Sequence, residues 1–504
     1  MEIDFRAVHR DGRWEMEISK SPWPTASAVT ATLPGHRSRR RRCLFTNLTA
    51  AVVVAVLALV PLTIFVVSRA SGIRLDDAND SGSSFASKFL HLVHLVHMPD
   101  TAAAMALRSL LTAGTLAFGL PSATSASLLY VSSYAGTITT FNLSLSNLDH
   151  ATEAHLQPIA SSDGCAPNPS WLTLDYSNST LYCLDEGLSS RNGSLSSYST
   201  ADDGTLVRLD KVTTILGPVS GVIYGTGGRG LALAEYSGSS VSSFSISDPA
   251  ALAPIQSDTF TIPQPGVDPI RQNAPHPHEA FLDPTGQFLL VPDLGADLVR
   301  VFLLDGETLE RTAVAPLVAA PGSGPRHGVF LVTETNTFLY LVSELTSTIT
   351  VYDVLYNQNK TLGFNEVYIT SIYGEGASTP KGATASEIQI SPDSKFLIVA
   401  SRDDGRLKIP SFDPEDSTEI PSDPLLNFSL DHCTGALSLV QTFPAGGIGP
   451  RHFSLNKAGN LVAVGLQKDG RVVVIDRDTE TGELKGFLAS ADVEGEVTCA
   501  IFDE

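Results

Sequence analysis

The chain has 504 residues, 43% hydrophobic and 17% charged, so it is long and apolar enough to bury a large core rather than stay disordered. Its formal charge of −21 is unevenly spread: residues 1–126 hold 13 basic and 9 acidic side chains, leaving 20 basic and 45 acidic for residues 127–504. A globular part this acidic repels a phosphate backbone, which excludes nucleic acid as a partner.

Residues 1–42 read as a basic tail ending in Arg-Ser-Arg-Arg-Arg-Arg. The 26 residues from Cys43 to Ser68 carry no charge and are rich in Ala, Val and Leu. A helix crosses a bilayer core with about 20 apolar residues, so residues 43–68 are predicted to be a transmembrane helix, kinked at Pro61. Five arginines precede this span and only Arg69 and Arg74 follow it closely, which orients residues 1–42 to the cytosol and the rest outside it. Residues 69–126 read as a stalk or a signal-like segment. From Met105 to Ala126 one basic residue is followed by an apolar core and a small-residue end, the layout of a secretory signal peptide cleaved after Ala126. Two readings stand: a type II membrane protein, or a secreted chain that starts naturally at Met98 or Met105. His91, His94 and His97 fall within this segment and read as stalk rather than metal ligands.

Both readings place residues 127–504 outside the cytosol. Asn142, Asn178, Asn192, Asn359 and Asn427 each begin an Asn-x-Ser/Thr acceptor, as expected of a glycoprotein. Cys165, Cys183, Cys433 and Cys499 are even in number and allow three disulfide connectivities. The short separation of Cys165 and Cys183 suggests one bridge, and the closing strand described below suggests Cys433–Cys499.

From Ser127 the chain repeats itself. A strand start, a turn, an apolar strand, a polar turn and a third strand recur in Phe281–Asp305, Phe330–Asp353, Ile388–Asp413 and Ser454–Asp478. Looser copies occupy Leu172–Ser199 and Val222–Ile246, and Leu128–Ser144 is a partial seventh. Repeats of this size with four strands each predict an all-β fold, a seven-bladed β-propeller over residues 127–504. The first copy lacks its leading strand, and the lone strand Glu496–Glu504 is expected to complete it.

The innermost strand of each blade lines the channel of a propeller, so equivalent lead-in residues converge. "GPRH" occurs twice, at Gly324–His327 and Gly449–His452, beside "PHPHEAF" and "ATASEIQI". Aligning these copies puts His278, His327, Glu387 and His452 in comparable places, with Arg326 and Arg451 one residue earlier. A second layer comes from the end of the next strand: Asp293, Glu344, Arg402 and Gln467. Any one of these polar residues is explained by bonding to a loop backbone. Four successive blades bringing His or Glu to one place point instead to a site.

These runs resemble the seven-bladed propeller lactonase family, which includes bacterial-type 6-phosphogluconolactonases and the fungal 3-carboxy-cis,cis-muconate lactonizing enzyme. The resemblance covers about residues 127–504. It implies a metal-independent site without cofactor at the channel mouth, with its histidine at His278 and its Arg-Glu-Arg set at Arg326, Glu344 and Arg402. Residues 1–126 have no counterpart in cytosolic members.

The residue types fit a small anionic substrate. Arg326, Arg402 and Arg451 suit carboxylate or phosphate through forked hydrogen bonds. His278 and Glu344 are the expected proton-transfer groups, with arginine stabilising an oxyanion, in lactone hydrolysis or in cycloisomerisation. Arg451, His327, His452, Gln467, Asp293 and Glu387 are the expected substrate-binding set. A zinc site built from His276, His278, His327 and His452 is the rival chemistry, opposed by the adjacent arginines. A non-catalytic propeller that binds a glycan or protein is the alternative function.

Overall fold

Short apolar runs separated by Gly-, Asp- and Ser-rich turns become seven antiparallel sheets, six of four strands and one with a fifth short strand. The computed structural model describes residues 4–10, 13–19, 125–148, 151–165 and 167–504. The expected membrane span, and the signal-like segment up to residue 124, lie outside these. Among the described residues no helix is long and apolar enough to cross a membrane. Asp4–Arg10 and Arg13–Ser19 form an antiparallel hairpin of their own.

The blades follow one another along the chain. Their innermost strands are Val497–Phe502, Pro169–Asp175, Pro218–Tyr224, Phe281–Leu282, Pro325–Val332, Thr384–Ile390 and Pro450–Leu455. We number the blades one to seven in that order. Second strands such as Phe288–Asp293 and Leu461–Leu466 are buried along their whole length, which explains their unbroken apolar sequence. Outermost strands such as Leu206–Thr214 alternate toward solvent. Neighbouring blades meet through apolar faces: Leu290 and Val301 of blade four pack with Leu339 and Leu341 of blade five.

Blade one is assembled from both ends of the propeller sequence. Val497–Phe502 pairs with Ser125–Ser133, placing Phe502 opposite Leu129 and Ala500 opposite Val131. Tyr130 Oη donates to Asp503 at 2.8 Å across the same seam. The lone final strand thus closes the ring as expected.

Three expectations are corrected. In blade six the third strand is not within Arg406–Asp413. Leu407–Pro410 pairs with Glu419–Ser422 in a separate hairpin, and Pro424–Leu430 takes the place in the sheet. Burial decides this: Leu425, Leu426 and Phe428 all reach the core, whereas only Ile409 of the earlier run is buried. The Cys165–Cys183 disulfide is formed, but Cys499 is free and buried, so the expected Cys433–Cys499 bridge is absent. The closing strand carries Cys499 into an apolar cluster with Tyr130, Leu172 and Cys183, while Cys433 lies on an exposed turn of blade six. Finally, Asn178, Asn192 and Asn359 are exposed, but Asn142 is half-buried and Asn427 is fully buried with Nδ2 donating to the Gly482 carbonyl at 2.7 Å. A glycan has no room at Asn427.

Candidate active site

The repeated Gly-Pro-Arg-His turn has a mechanical explanation. Gly324 and Gly449 have φ of +64° and +77°, a left-handed backbone that side chains rarely adopt. Each glycine N–H is pinned by a carboxylate: Gly324 donates to Asp297 at 3.0 Å and Gly449 to Asp423 at 2.8 Å. The proline then opens the inner strand, and the next residue sits at a β-bulge, since Pro325 pairs with Ser343 but His327 with Val342. Blade seven repeats the shift between Pro450 and His452. The bulge re-aims the arginine between the two pairs.

The same register corrects the alignment of blade four. Pro277 pairs with Asp293 and Phe281 with Leu290, so His278 occupies the bulged place of Arg326 and Arg451. Glu279, not His278, is then equivalent to His327, Glu387 and His452. Aligning on the proline of "PHE" and "PRH" rather than on histidine is the signal that finds Glu279.

Glu344 is the centre of the upper layer. Its Oε2 accepts from Arg326 Nη1 at 2.7 Å, and its Oε1 meets Arg402 Nη2 at 3.1 Å and Arg271 Nη2 in a short contact. Burial would raise its carboxyl, but Arg402, Arg326 and Arg271 outweigh that and hold it well below the usual carboxylate range. Arg326 is buried; burial and Arg402 bring its guanidinium down to about 10, still protonated at neutral pH. Its Nε donates to the Ser386 carbonyl at 3.1 Å and its Nη1 makes a short contact with His278 Nε2. Arg271 was not foreseen, because it sits in the linker between blades three and four that has no repeat counterpart.

Below this layer lie the imidazoles. His327 Nε2 is 3.2 Å from His278 Nδ1, and His327 Nδ1 is 3.3 Å from Glu387 Oε1. Burial, then Arg326 and His327, keep His278 well below the ordinary histidine value. Burial lowers His327 also, and brings His452 down to about 4. His327, which hydrogen-bonds to it, together with His452 and Arg326 outweighs burial and holds Glu387 below its ordinary value, whereas burial and the neighbouring Glu387 push Glu279 well above its own. Trp171 sits edge-on to His327 and His452 at 6.0 and 5.1 Å.

Arg451 anchors the opposite side of the channel. It donates to Tyr134 Oη at 2.8 Å and lies 3.8 Å from Glu186. Tyr134 and Glu186 each follow a second strand, as Glu344 does, but the looser early repeats hid the match.

The structure therefore brings together His278, Arg326, Glu344, Arg402, His327, Glu387, His452 and Arg451. It does not bring Asp293 and Gln467 into the same set. Asp293 is fully buried and is used by Arg300 at 2.7 Å and by the backbone of His276 and Ala296. Gln467 turns its amide to Glu496 at 2.7 Å. Nor does His276 join the other histidines: its ring stacks on Tyr236 and its nitrogens meet the Tyr236 carbonyl and Asn273 Oδ1. Among the described residues no three His, Cys, Asp or Glu side chains converge in a way that would hold a metal ion.

Comparison with known proteins agrees with this architecture. Residues 128–502 match the family described as "Lactonase, 7-bladed beta-propeller". A protein of Arthroderma benhamiae named "Probable 6-phosphogluconolactonase" is 31% identical over 378 residues, spanning 75% of this chain and 88% of that one. A 6-phosphogluconolactonase of Formosa agariphila is 27% identical over 278 residues, spanning 55% and 71%. The solved structure of a periplasmic gluconolactonase from Pseudomonas aeruginosa has a TM-score of 0.61 at 26% identity, covering 75% of this chain and 99% of its own. The matched stretch takes in the inner strands of all seven blades and the whole His-Arg-Glu cluster, and the chain belongs to the seven-bladed β-propeller lactonase family.

Proposed function

We propose that the protein hydrolyses the lactone of an anionic sugar acid, with 6-phosphogluconolactone, named by its relatives, as the first substrate to test. The observation that carries this reading is the pairing of a buried, neutral imidazole with a cluster of guanidiniums inside a strongly acidic propeller. His278 takes the proton of the attacking water. Arg326 then turns from His278 to the carbonyl oxygen and stabilises the oxyanion as it forms. Arg402 and Arg271 bind the substrate's anionic group. Glu344, held ionised by three arginines, is a poor proton donor; it sets the arginines in place.

The working compartment belongs to the same proposal. The Cys165–Cys183 bridge and the apolar segments of residues 43–68 and 105–126 support an extracytoplasmic protein. Fractionation of native cells with N-terminal sequencing tests this, and recovery of a reduced protein from the cytosol would overturn it.

The catalytic test is a panel of phosphorylated, carboxylated and neutral lactones with the full chain. His278→Ala is expected to lower kcat by roughly 10²–10⁴-fold. Arg402→Ala is expected to raise KM for anionic lactones more than for neutral ones. A chelator should leave the rate unchanged; loss of activity restored by a metal ion would overturn the side-chain mechanism. Full activity of His278→Ala would overturn the site.

A further inference from the structure

Two imidazoles stand in series between an acceptor and a donor. At one end the ionised Glu387 carboxylate accepts hydrogen bonds only; at the other the Arg326 guanidinium donates only. His327 Nδ1 faces Glu387 Oε1 at 3.3 Å, His327 Nε2 faces His278 Nδ1 at 3.2 Å, and His278 Nε2 meets Arg326 Nη1. Each neutral imidazole carries one N–H. A single arrangement satisfies all three contacts: His327 donates from Nδ1 to Glu387, His278 donates from Nδ1 to His327 Nε2, and His278 Nε2 accepts from Arg326. The reverse arrangement would set two N–H groups against each other at Arg326 and a lone pair against a carboxylate at Glu387.

All four side chains are buried, so water does not replace a missing partner at low cost. The second Glu387 oxygen has no hydrogen bond and lies 3.8 Å from His452 Nε2. His452 cannot take the place of His327 in the series, because its Nδ1 accepts from the Ala500 N–H at 3.3 Å.

We propose that Glu387 and His327 are positioning residues of the lactonase site, holding His278 in the tautomer whose Nε2 lone pair faces the channel mouth and conducting the proton it takes. The proposal rests on His278 being the base of the hydrolytic reading. When substrate draws Arg326 away, a water loses one proton to His278 Nε2 as its oxygen bonds to the carbonyl carbon. The Nδ1 proton of His278 passes to His327 Nε2, and the ionised Glu387, accepting from His327 Nδ1, stabilises the imidazolium so formed without taking its proton. Collapse of the tetrahedral intermediate breaks the ring C–O bond, and the same series returns the proton to the leaving alkoxide. Lactone and water yield the hydroxy acid with nothing left over.

Other charges facing the series are Arg326 and Glu344 of blade five and Arg451 of blade seven, with Tyr236 of blade three edge-on to His278. Glu279 of blade four lies 4.0 Å from His327 Nδ1. None of them replaces Glu387 at His327 Nδ1: Glu279 Oε1 is beyond hydrogen-bond reach and its Oε2 accepts from the Gly328 N–H at 2.7 Å, while both Glu344 oxygens are taken by arginines.

The test uses the full chain with 15N-labelled histidine. Imidazole 15N spectra without substrate should show His278 and His327 both protonated at Nδ1. Glu387→Gln should change the tautomer or population of His278 and lower kcat by roughly 10²-fold with KM within about twofold, and Glu387→Asp should recover part. The acid limb of kcat should move to lower pH in Glu387→Gln, because the carboxylate no longer favours protonated imidazole. A parent His278 protonated at Nε2 would overturn the proposal, as would unchanged kcat in both Glu387→Gln and His327→Gln. A fall in kcat with an unchanged His278 spectrum would also refute positioning. If the parent opens no lactone of the panel, the hydrolytic reading fails, while the tautomer measurement still decides the Glu387–His327–His278 geometry.

Discussion

Glu235 shows how burial and charge compete at a single residue. One carboxylate oxygen accepts from Ser242 Oγ at 2.7 Å and from the Ile215 N–H at 3.2 Å; the other has no hydrogen-bond partner. Burial pushes the carboxyl up to about 7. A folded value above the ordinary one means the bound proton stabilises the fold below about pH 4.5, and this contribution is lost as pH rises through 7. Glu235→Gln cannot ionise. Its stability relative to the parent should therefore rise between about pH 5 and pH 8, by on the order of 2 kcal/mol. Melting curves at several pH values check this; a constant difference across the range would refute it. Glu344 has the opposite sign. Removing its charge by Glu344→Gln leaves Arg326 and Arg402 facing each other almost dry, and a loss of about 3–5 kcal/mol is expected from thermal or denaturant melts.

At the level of elements, the glycine turns carry the argument. A Cβ on Gly324 would come within 2.5 Å of Leu345, at a φ that already disfavours a side chain. Gly324→Ala should cost about 1–3 kcal/mol and lower kcat/KM as well, because Arg326 begins two residues later. Gly286 also has a left-handed φ but no atom within 4 Å of a built Cβ. Gly286→Ala should lower stability less and leave kcat/KM unchanged, and equal losses of activity in the two would refute the turn's role. What was legible follows the same division. Strand repeats with Asp-Pro-Thr-Gly turns are periodic, so the propeller and its closing strand could be read directly. Arg326, Arg402 and Glu344 could be found because they repeat at fixed places within strongly marked blades. Arg271 could not, since its linker repeats nothing. Glu279 was hidden because histidine, rather than proline, was used to align Pro277-His278-Glu279 with Pro325-Arg326-His327. The third strand of blade six was misread because the inserted hairpin begins with a plausible strand, Leu407–Pro410, and only long-range packing of Leu425 and Leu426 rejects it.

On the scale of the whole molecule, charge separates site from surface. Residues 127–504 carry 20 basic and 45 acidic side chains, yet Arg271, Arg326 and Arg402 gather on one carboxylate. Under the proposed function, an anionic lactone would be repelled by most of the surface and attracted within reach of the mouth. Salt screens charges beyond about 8–10 Å at physiological strength. Raising salt should relax the long-range repulsion while weakening the local attraction, and the buried arginines are screened least. The ratio of KM for an anionic lactone to KM for a neutral analogue should consequently change by less than about threefold between roughly 0.05 and 0.5 M salt. A tenfold rise would mean that exposed charges, and not the buried arginine set, govern recognition.

The seam of blade one has a consequence for how the protein is made. Tyr130 and Asp503 are 373 residues apart, and the strand that covers Ser125–Ser133 is synthesised only after the strands of the other six blades. At about 5–20 residues per second, the uncovered edge waits roughly 20–75 s before its partner exists. During that interval six blades can form in succession, but the circle stays open and an apolar strand faces the surroundings. Ring closure is thus a late event of biogenesis. A chain released before Val497 would be a nearly complete propeller with an open apolar edge, available to pair with its neighbours.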